Sequence, residues 1–213
     1  MTLALIYDFD GTLSPGNMQE YDFIPAIGKG NREFWDNCNR MAEENDADPI
    51  LTYMNEMIRQ ATVNGVSLRR EAFAESGRKV ELYAGVESWF ERIDRYGEKK
   101  GIEVVHYINS SGLREMIEGT SIARHFRKIF ASSFLYSVDG VAYWPGVAVN
   151  YTNKTQFIFK ISKGIDSVYD SKAVNRFVSE QDRPVPFSHM IYIGDGTTDI
   201  PCMRLVKEKQ GHS

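Results

Sequence analysis

The sequence predicts an α/β fold in which a doubly wound parallel sheet carries an inserted block of helices and a β-hairpin. Three observations lead there. Four short segments are apolar almost throughout instead of alternating with polar residues, as strands covered on both faces are. Helical patterns fall between them, and strand alternating with helix marks a doubly wound sheet. Residues 15–84 hold no convincing strand. They are too many for a structureless loop, so they read as a helical insertion.

In chain order, residues 3–8 (LALIYD) form the first strand. The Pro and Gly of SPGN (residues 14–17) then make a loop. Helices follow over residues 18–27, 31–44, 49–63 and 68–80, with Asp48-Pro49 and Ser67-Leu68 as start signals and Gly65 as a stop. YAGV (residues 83–86) returns the chain to the sheet. A helix over residues 86–100 then leads to a strand at 102–109 (IEVVHYIN), and one over 113–126 to a strand at 128–133 (KIFASS). Asp139-Gly140 between alternating apolar runs signals a hairpin flap over about residues 134–146, with Trp144-Pro145 ending its second arm. Helices over 155–163 and 171–179 precede the last strand, 190–194 (MIYIG), and a helix over 197–207 follows it. The predicted division is a core domain of residues 1–14 and 85–213 and a helical domain of residues 15–84.

The 213 residues suffice to bury a core without disulfides or metals. A net charge of −4, with basic residues in short pairs such as Arg69-Arg70 beside acids, argues against a nucleic-acid or membrane-surface role. No apolar stretch approaches the roughly 18 residues that a membrane helix needs. Cys38 and Cys202 lack CxxC spacing and read as reduced thiols. The four histidines lack zinc-ligand spacing, and His106, on the second strand, reads as a satisfied core residue. No basic stretch precedes the first apolar run and Asp8 interrupts it, so no signal peptide is predicted and a cytoplasmic location is the default.

The chemistry begins at LALIYDFDGTL (residues 3–13), where Asp8 and Asp10 stand at the mouth of the most hydrophobic strand. Burying charge there is expensive without compensation. Open α/β sheets bind ligands at the carboxyl ends of their strands. Those ends supply Asp8, Asp10, Gly11 and Thr12, then Ser110, Ser111 and Gly112, then Asp195 and Asp199, while Lys154 at a helix start can join them. Carboxylates without histidine make a hard-oxygen site suited to Mg²⁺ rather than zinc. Ser110-Ser111-Gly112, read as opening a helix, offers N–H groups and a hydroxyl to an anion. A cation site, an anion cradle and a spare acid point to phosphoryl transfer, with one Asp as nucleophile and the second as general acid and base. Gly11 eases the turn that aims both acids at one substrate. Single residues keep other readings: Ser111 in place of Ser110, Lys154 as a surface lysine, Asp199 as a helix-dipole charge, and Trp144 as a packing residue.

DFDGTL (residues 8–13), a serine closing the second strand, Lys154 and GDGTTD (residues 194–199) resemble, in this order, the four motifs of the haloacid dehalogenase superfamily. The resemblance spans essentially the whole chain. The helices after the first motif resemble a C1 cap, and the hairpin followed by NKTQFIFKISKG (residues 153–164) is similar to the phosphoserine-phosphatase-like branch. The resemblance implies a Rossmann-like core and a Mg²⁺-dependent phosphomonoesterase acting on a small phosphorylated metabolite through an aspartyl-phosphate. It implies Asp8 as nucleophile and Asp10 as general acid and base. Mg²⁺ would be held by Asp8, the Asp10 backbone carbonyl and Asp195, with Asp199 in support. Phosphoryl oxygens would be bound by Ser110, with Ser111, Gly112, Gly11 and Thr12 beside it and Lys154 neutralising their charge. A phosphotransferase or mutase of the same superfamily, or an inactive phosphate-binding relative, is the alternative. Two departures stand out. Where phosphoserine-specific relatives carry a Glu, the register here places Asn17, with Glu20 three residues on, so both join Trp144 as possible substrate contacts. Relatives also continue past the last motif with a further strand and helix, so an edge strand is expected to be missing.

Overall fold

Strand β1 (Thr2–Tyr7) is buried along most of its length because both its faces find apolar cover. Leu5 and Tyr7 enter one hydrophobic core and Ala4 and Ile6 the other, the period-two alternation of a strand. The computed structural model describes residues 1–213, apart from the side chain of Ser171. Among the described residues, β1, β2 (Glu103–Leu113), β3 (Phe126–Tyr136), β4 (Ala142–Val147) and β5 (Met190–Ile193) form one sheet in the order β4-β3-β2-β1-β5. All pairings are parallel except that of β3 with β4. From β1 the chain builds outward through β2 and β3, then returns to lay β5 on the other side of β1. That reversal opens a crevice at the carboxyl end of β1, the switch point where such sheets bind ligands.

Helices α1 (Phe23–Ala26), α2 (Asn31–Glu44), α3 (Pro49–Asn64) and α4 (Arg70–Gly77) fill the stretch after β1. The start of α3 is written locally. The Asp48 carboxylate accepts from the N–H groups of Ile50 and Leu51, both at 2.9 Å, and Pro49 occupies the first turn. Gly65, at φ +68°, ends it. Buried Phe34, Tyr53, Met54 and Met57 of these helices share a core with Phe90 of α5 (Val86–Lys99) and Met116 of α6 (Arg114–Gly119). On the other face, Phe157 and Ile161 of α7 (Lys154–Ser162) pack with Cys202 and Val206 of α9 (Ile200–Glu208). No described helix is long and apolar enough to cross a membrane.

The structure corrects several predicted elements. The helix expected over residues 18–27 is split into a 3-10 turn, Met18–Glu20, and the short α1. The restart puts Pro25, which has no N–H to give, inside the first turn. The helix expected over 171–179 stops as α8 (Ser171–Asn175). Lys163 Nζ donates to the carbonyls of Val174 and Arg176, both at 2.6 Å, taking acceptors that a continuing helix would use. Ser110-Ser111-Gly112 does not open a helix: β2 runs on to Leu113 through a register shift after Ser110. The Ser111 carbonyl there accepts from Tyr53 Oη at 2.8 Å and Ser132 Oγ at 3.0 Å, which holds the backbone in a bulge. At the edge where a strand was expected to be missing, His212 makes a one-residue parallel bridge to Ile191, bonding Met190 and Tyr192.

His106 is the satisfied core residue that its position suggests. Trp89 Nε1, which can only donate, gives its proton to Tyr7 Oη at 2.8 Å. Asp94 Oδ1, 2.9 Å from His106 Nε2, only accepts, so Nε2 carries the proton and Nδ1 accepts from Tyr7 Oη at 3.0 Å. Burial holds the imidazole pKa below its usual value; Asp94 opposes that shift and His125 adds to it. The unfolded chain thus takes up this proton first as pH falls. The stability contributed is complete above about pH 6.5 and declines as pH drops toward the lower folded value. His106→Leu, which strands the Tyr7 hydroxyl, is expected to cost about 1–3 kcal/mol at pH 8 in urea unfolding and to flatten the decline between pH 7 and 5. An equally steep decline in the variant would assign it to other groups.

Candidate active site

The carboxyl ends of β1, β2 and β5 bring four acids and one lysine together. Asp8 follows β1 directly and its N–H donates to the Ile193 carbonyl of β5 at 2.8 Å, which seats it over the switch point. Lys154, the first residue of α7, is fully buried. Its Nζ lies 3.3 Å from Asp8 Oδ2 and 2.6 Å from Asp199 Oδ1. Asp199 is also fully buried and accepts from Tyr192 Oη at 2.6 Å and the Gly196 N–H at 3.0 Å. Lys154 is therefore not a surface lysine, while Asp199, at the N-terminus of α9, is both its buried counter-charge and placed to meet the helix dipole.

Asp10 turns back under the insertion, where its Oδ1 accepts from the Met18 N–H at 2.9 Å. Thr12 Oγ1 donates to Asp195 Oδ1 at 2.9 Å. The turn that allows this needs glycine: Gly11 sits at φ +79°, and a Cβ there would meet Asp195 Oδ2 at 2.1 Å. Gly11→Ala is expected to cost about 1–3 kcal/mol of stability in urea unfolding. A neutral result would mean that the turn relaxes without moving Asp195. Gly112 is confined in the same way, its absent Cβ falling 2.9 Å from Asp10 Oδ2 and 2.2 Å from the Met18 methyl.

Electrostatics at the site follow from burial. Desolvation raises the Asp8 pKa to about 6 against the pull of Lys154, with Asp199 adding to the rise. Asp10 is pushed well above the usual carboxylate range, first by burial and then by Asp8. Lys154 is held above its ordinary value because the Asp8 and Asp199 carboxylates outweigh its own desolvation. Four carboxylates thus face one ammonium. Asp8 Oδ1 is buried and has no hydrogen-bond partner, an arrangement that is costly unless something else meets it. Asp8, Asp195 and Asp199 each offer an oxygen, and these lie within 4.8 Å of one another. An all-oxygen set with an orphaned buried oxygen fits a hard divalent cation.

The acids open into a cleft of about 340 Å³. Asp8, Asp10, Ser110, Ser111, Gly112, Asp195 and Asn17 line it, together with Gln19, Trp35, Ile50, Tyr53 and Thr197. Ser110 Oγ accepts from the Gly112 N–H at 3.1 Å, whereas Ser111 Oγ is buried without a partner. Gly11 and Thr12 stand behind Asp195 and do not line the cleft. Glu20 is also set back: its Oε1 accepts from Asn17 Nδ2 and Trp35 Nε1, both at 2.7 Å. Trp144, opposite Leu135 in β4, is 60% exposed and away from the cleft. Sequence reasoning missed Gln19, Trp35, Ile50 and Tyr53 as lining residues. Trp35 and Tyr53 occur at helical spacing and serve the core as well, so no local signal separates their two roles.

The haloacid dehalogenase-like hydrolase family matches residues 5–204. An uncharacterized protein of Borreliella burgdorferi is 29% identical over 240 aligned positions, covering 99% of this chain and 80% of that protein. Among solved structures, a substrate-bound phosphoserine phosphatase complex superposes with a TM-score of 0.59 at 16% identity, covering 100% of this chain and 92% of the other. A phosphoserine phosphohydrolase-like protein from Francisella tularensis gives 0.54 at 21% identity, covering 95% and 82%. The structural likeness shows the shared fold. The family match takes in the DFDGT turn, the strand-end serines, the buried lysine and GDGTTD within one continuous span. The chain belongs to the haloacid dehalogenase-like hydrolase family.

Proposed function

We propose that the protein is a Mg²⁺-dependent phosphomonoesterase acting on a small phosphorylated metabolite, as phosphoserine phosphatases do. One observation carries the reading: the Asp8 carboxylate stands at the switch point, paired with the buried Lys154 and keeping one oxygen without a partner. Residues 1–14 and 85–213 are the catalytic core, residues 15–84 the cap, and residues 134–146 a flap. The cap reading is supported by Trp35, Ile50 and Tyr53, which line the cleft from that segment.

In the proposed reaction Ser110 and the backbone around Ser111 and Gly112 hold the phosphoryl oxygens, and Lys154 offsets their charge. Asp8 attacks phosphorus as the bond from phosphorus to the alcohol oxygen breaks, and Asp10 gives its proton to that departing oxygen. Asp10 then takes a proton from water as the water oxygen attacks the same phosphorus. The bond from phosphorus to Asp8 breaks, releasing inorganic phosphate and restoring the carboxylate. Asp8, Asp195 and the Asp10 carbonyl would hold Mg²⁺, supported by Asp199, and the bound ion offsets the phosphate charge that opposes attack. The test is hydrolysis of p-nitrophenyl phosphate with Mg²⁺ and again after chelation. Release that chelation abolishes supports the proposal; a folded protein without release, or release indifferent to chelation, overturns it.

A further inference from the structure

We infer that the alcohol released carries no anionic group and bears an O–H or N–H that bonds to Gln19; this rests on the phosphomonoesterase reading above. Charge in the cleft is confined to its floor. Among the described residues, the only charged groups lining it are Asp8, Asp10 and Asp195, all at the phosphoryl end. Above them, Asn17, Gln19, Trp35, Ile50 and Tyr53 present two amides, two aromatic rings and an aliphatic side chain.

A carboxylate or a second phosphate held there would lose water without gaining an ion partner and would face the acids of the floor, which costs several kcal/mol. Off the cleft floor, Glu20, whose Oε1 accepts from Asn17 Nδ2 and Trp35 Nε1, and Asp48, which accepts from the Ile50 N–H, add negative charge near the cleft. The Glu20 bonds also fix the Trp35 ring, which meets Tyr53 edge to face at 5.7 Å. A second phosphate or a carboxylate on the substrate would find no Lys or Arg in the lining.

Gln19 supplies the positive half of the argument. It is 1% exposed, and its Oε1 is buried without a hydrogen-bond partner, although the residue borders the cleft. A buried amide oxygen left unsatisfied is costly, and a donor on the bound alcohol would satisfy it. The cleft of about 340 Å³ has room for roughly eleven waters at about 30 Å³ each, so a phosphate and one ring are admitted.

The test compares kcat/KM for 4-hydroxybenzyl phosphate, benzyl phosphate and phosphoserine, with p-nitrophenyl phosphate as the control for phosphatase chemistry. The expected order places 4-hydroxybenzyl phosphate about tenfold above benzyl phosphate, and both at least 100-fold above phosphoserine. Gln19→Met is expected to raise KM for the hydroxylated ester and bring its kcat/KM to within about threefold of that for the benzyl ester. Turnover of p-nitrophenyl phosphate with phosphoserine equal to or better than the benzyl esters overturns the inference and leaves the phosphatase reading standing. Loss of the hydroxyl preference in wild type removes Gln19 from it. No turnover of any ester overturns both readings.

Discussion

Asp8→Asn is expected to abolish Mg²⁺-dependent phosphate release, lowering kcat by at least about 10³-fold while the protein stays folded. An amide in place of the carboxylate keeps the shape of the side chain but is a poor nucleophile, and covalent catalysis has no alternative once its attacking atom is lost. The fold should tolerate the change because Asp8 is stressed in the native state: desolvation already raises its pKa to about 6, and its Oδ1 has no partner. Steady-state assay beside urea unfolding separates the outcomes. A folded Asp8→Asn protein retaining a tenth or more of wild-type turnover would move the nucleophile elsewhere.

Lys154→Met is expected to give the largest loss of stability, about 3–5 kcal/mol, and to abolish turnover with it. The ammonium is fully buried between Asp8 Oδ2 at 3.3 Å and Asp199 Oδ1 at 2.6 Å. Removing it leaves two carboxylates without their shared counter-charge, one of them inaccessible to water, and breaking a buried pair from one side costs that much. The double change Lys154→Met with Asp199→Asn removes charge from both sides and should recover part of the stability, though not the activity. Urea unfolding of the single and double variants decides it. A single-variant loss under about 1 kcal/mol, or no recovery in the double variant, would mean that the lysine does not neutralise this site.

Both variants concern residues that the sequence already singled out, and the reason is local. A residue at the end of a buried strand must lie at the carboxyl edge of the sheet, so DFDGT, the serines after HYIN and GDGTTD converge once the strands are known to be parallel. The strict spacing of Asp48-Pro49 and Gly65 likewise placed α3 within one residue, because caps act over one turn. Ser110-Ser111-Gly112 was misread as a helix start because the bulge is held by Tyr53 and Ser132, partners 58 and 21 residues away from Ser111. The early stop of α8 has the same kind of origin, in the ammonium of Lys163.

By itself the sequence determined the α/β class, the strand ends where the polar residues gather and the acids at the switch point, since each depends on neighbours within a few residues. The tertiary structure alone decided which of those groups are buried, what each is paired with, and what surrounds the substrate. It made Lys154 the counter-charge of two acids, bonded Glu20 to Trp35, left Trp144 in solvent and buried Gln19 beside the cleft. Those outcomes depend on how distant helices pack across the sheet, and side-chain periodicity says which face is apolar but not what that face will meet.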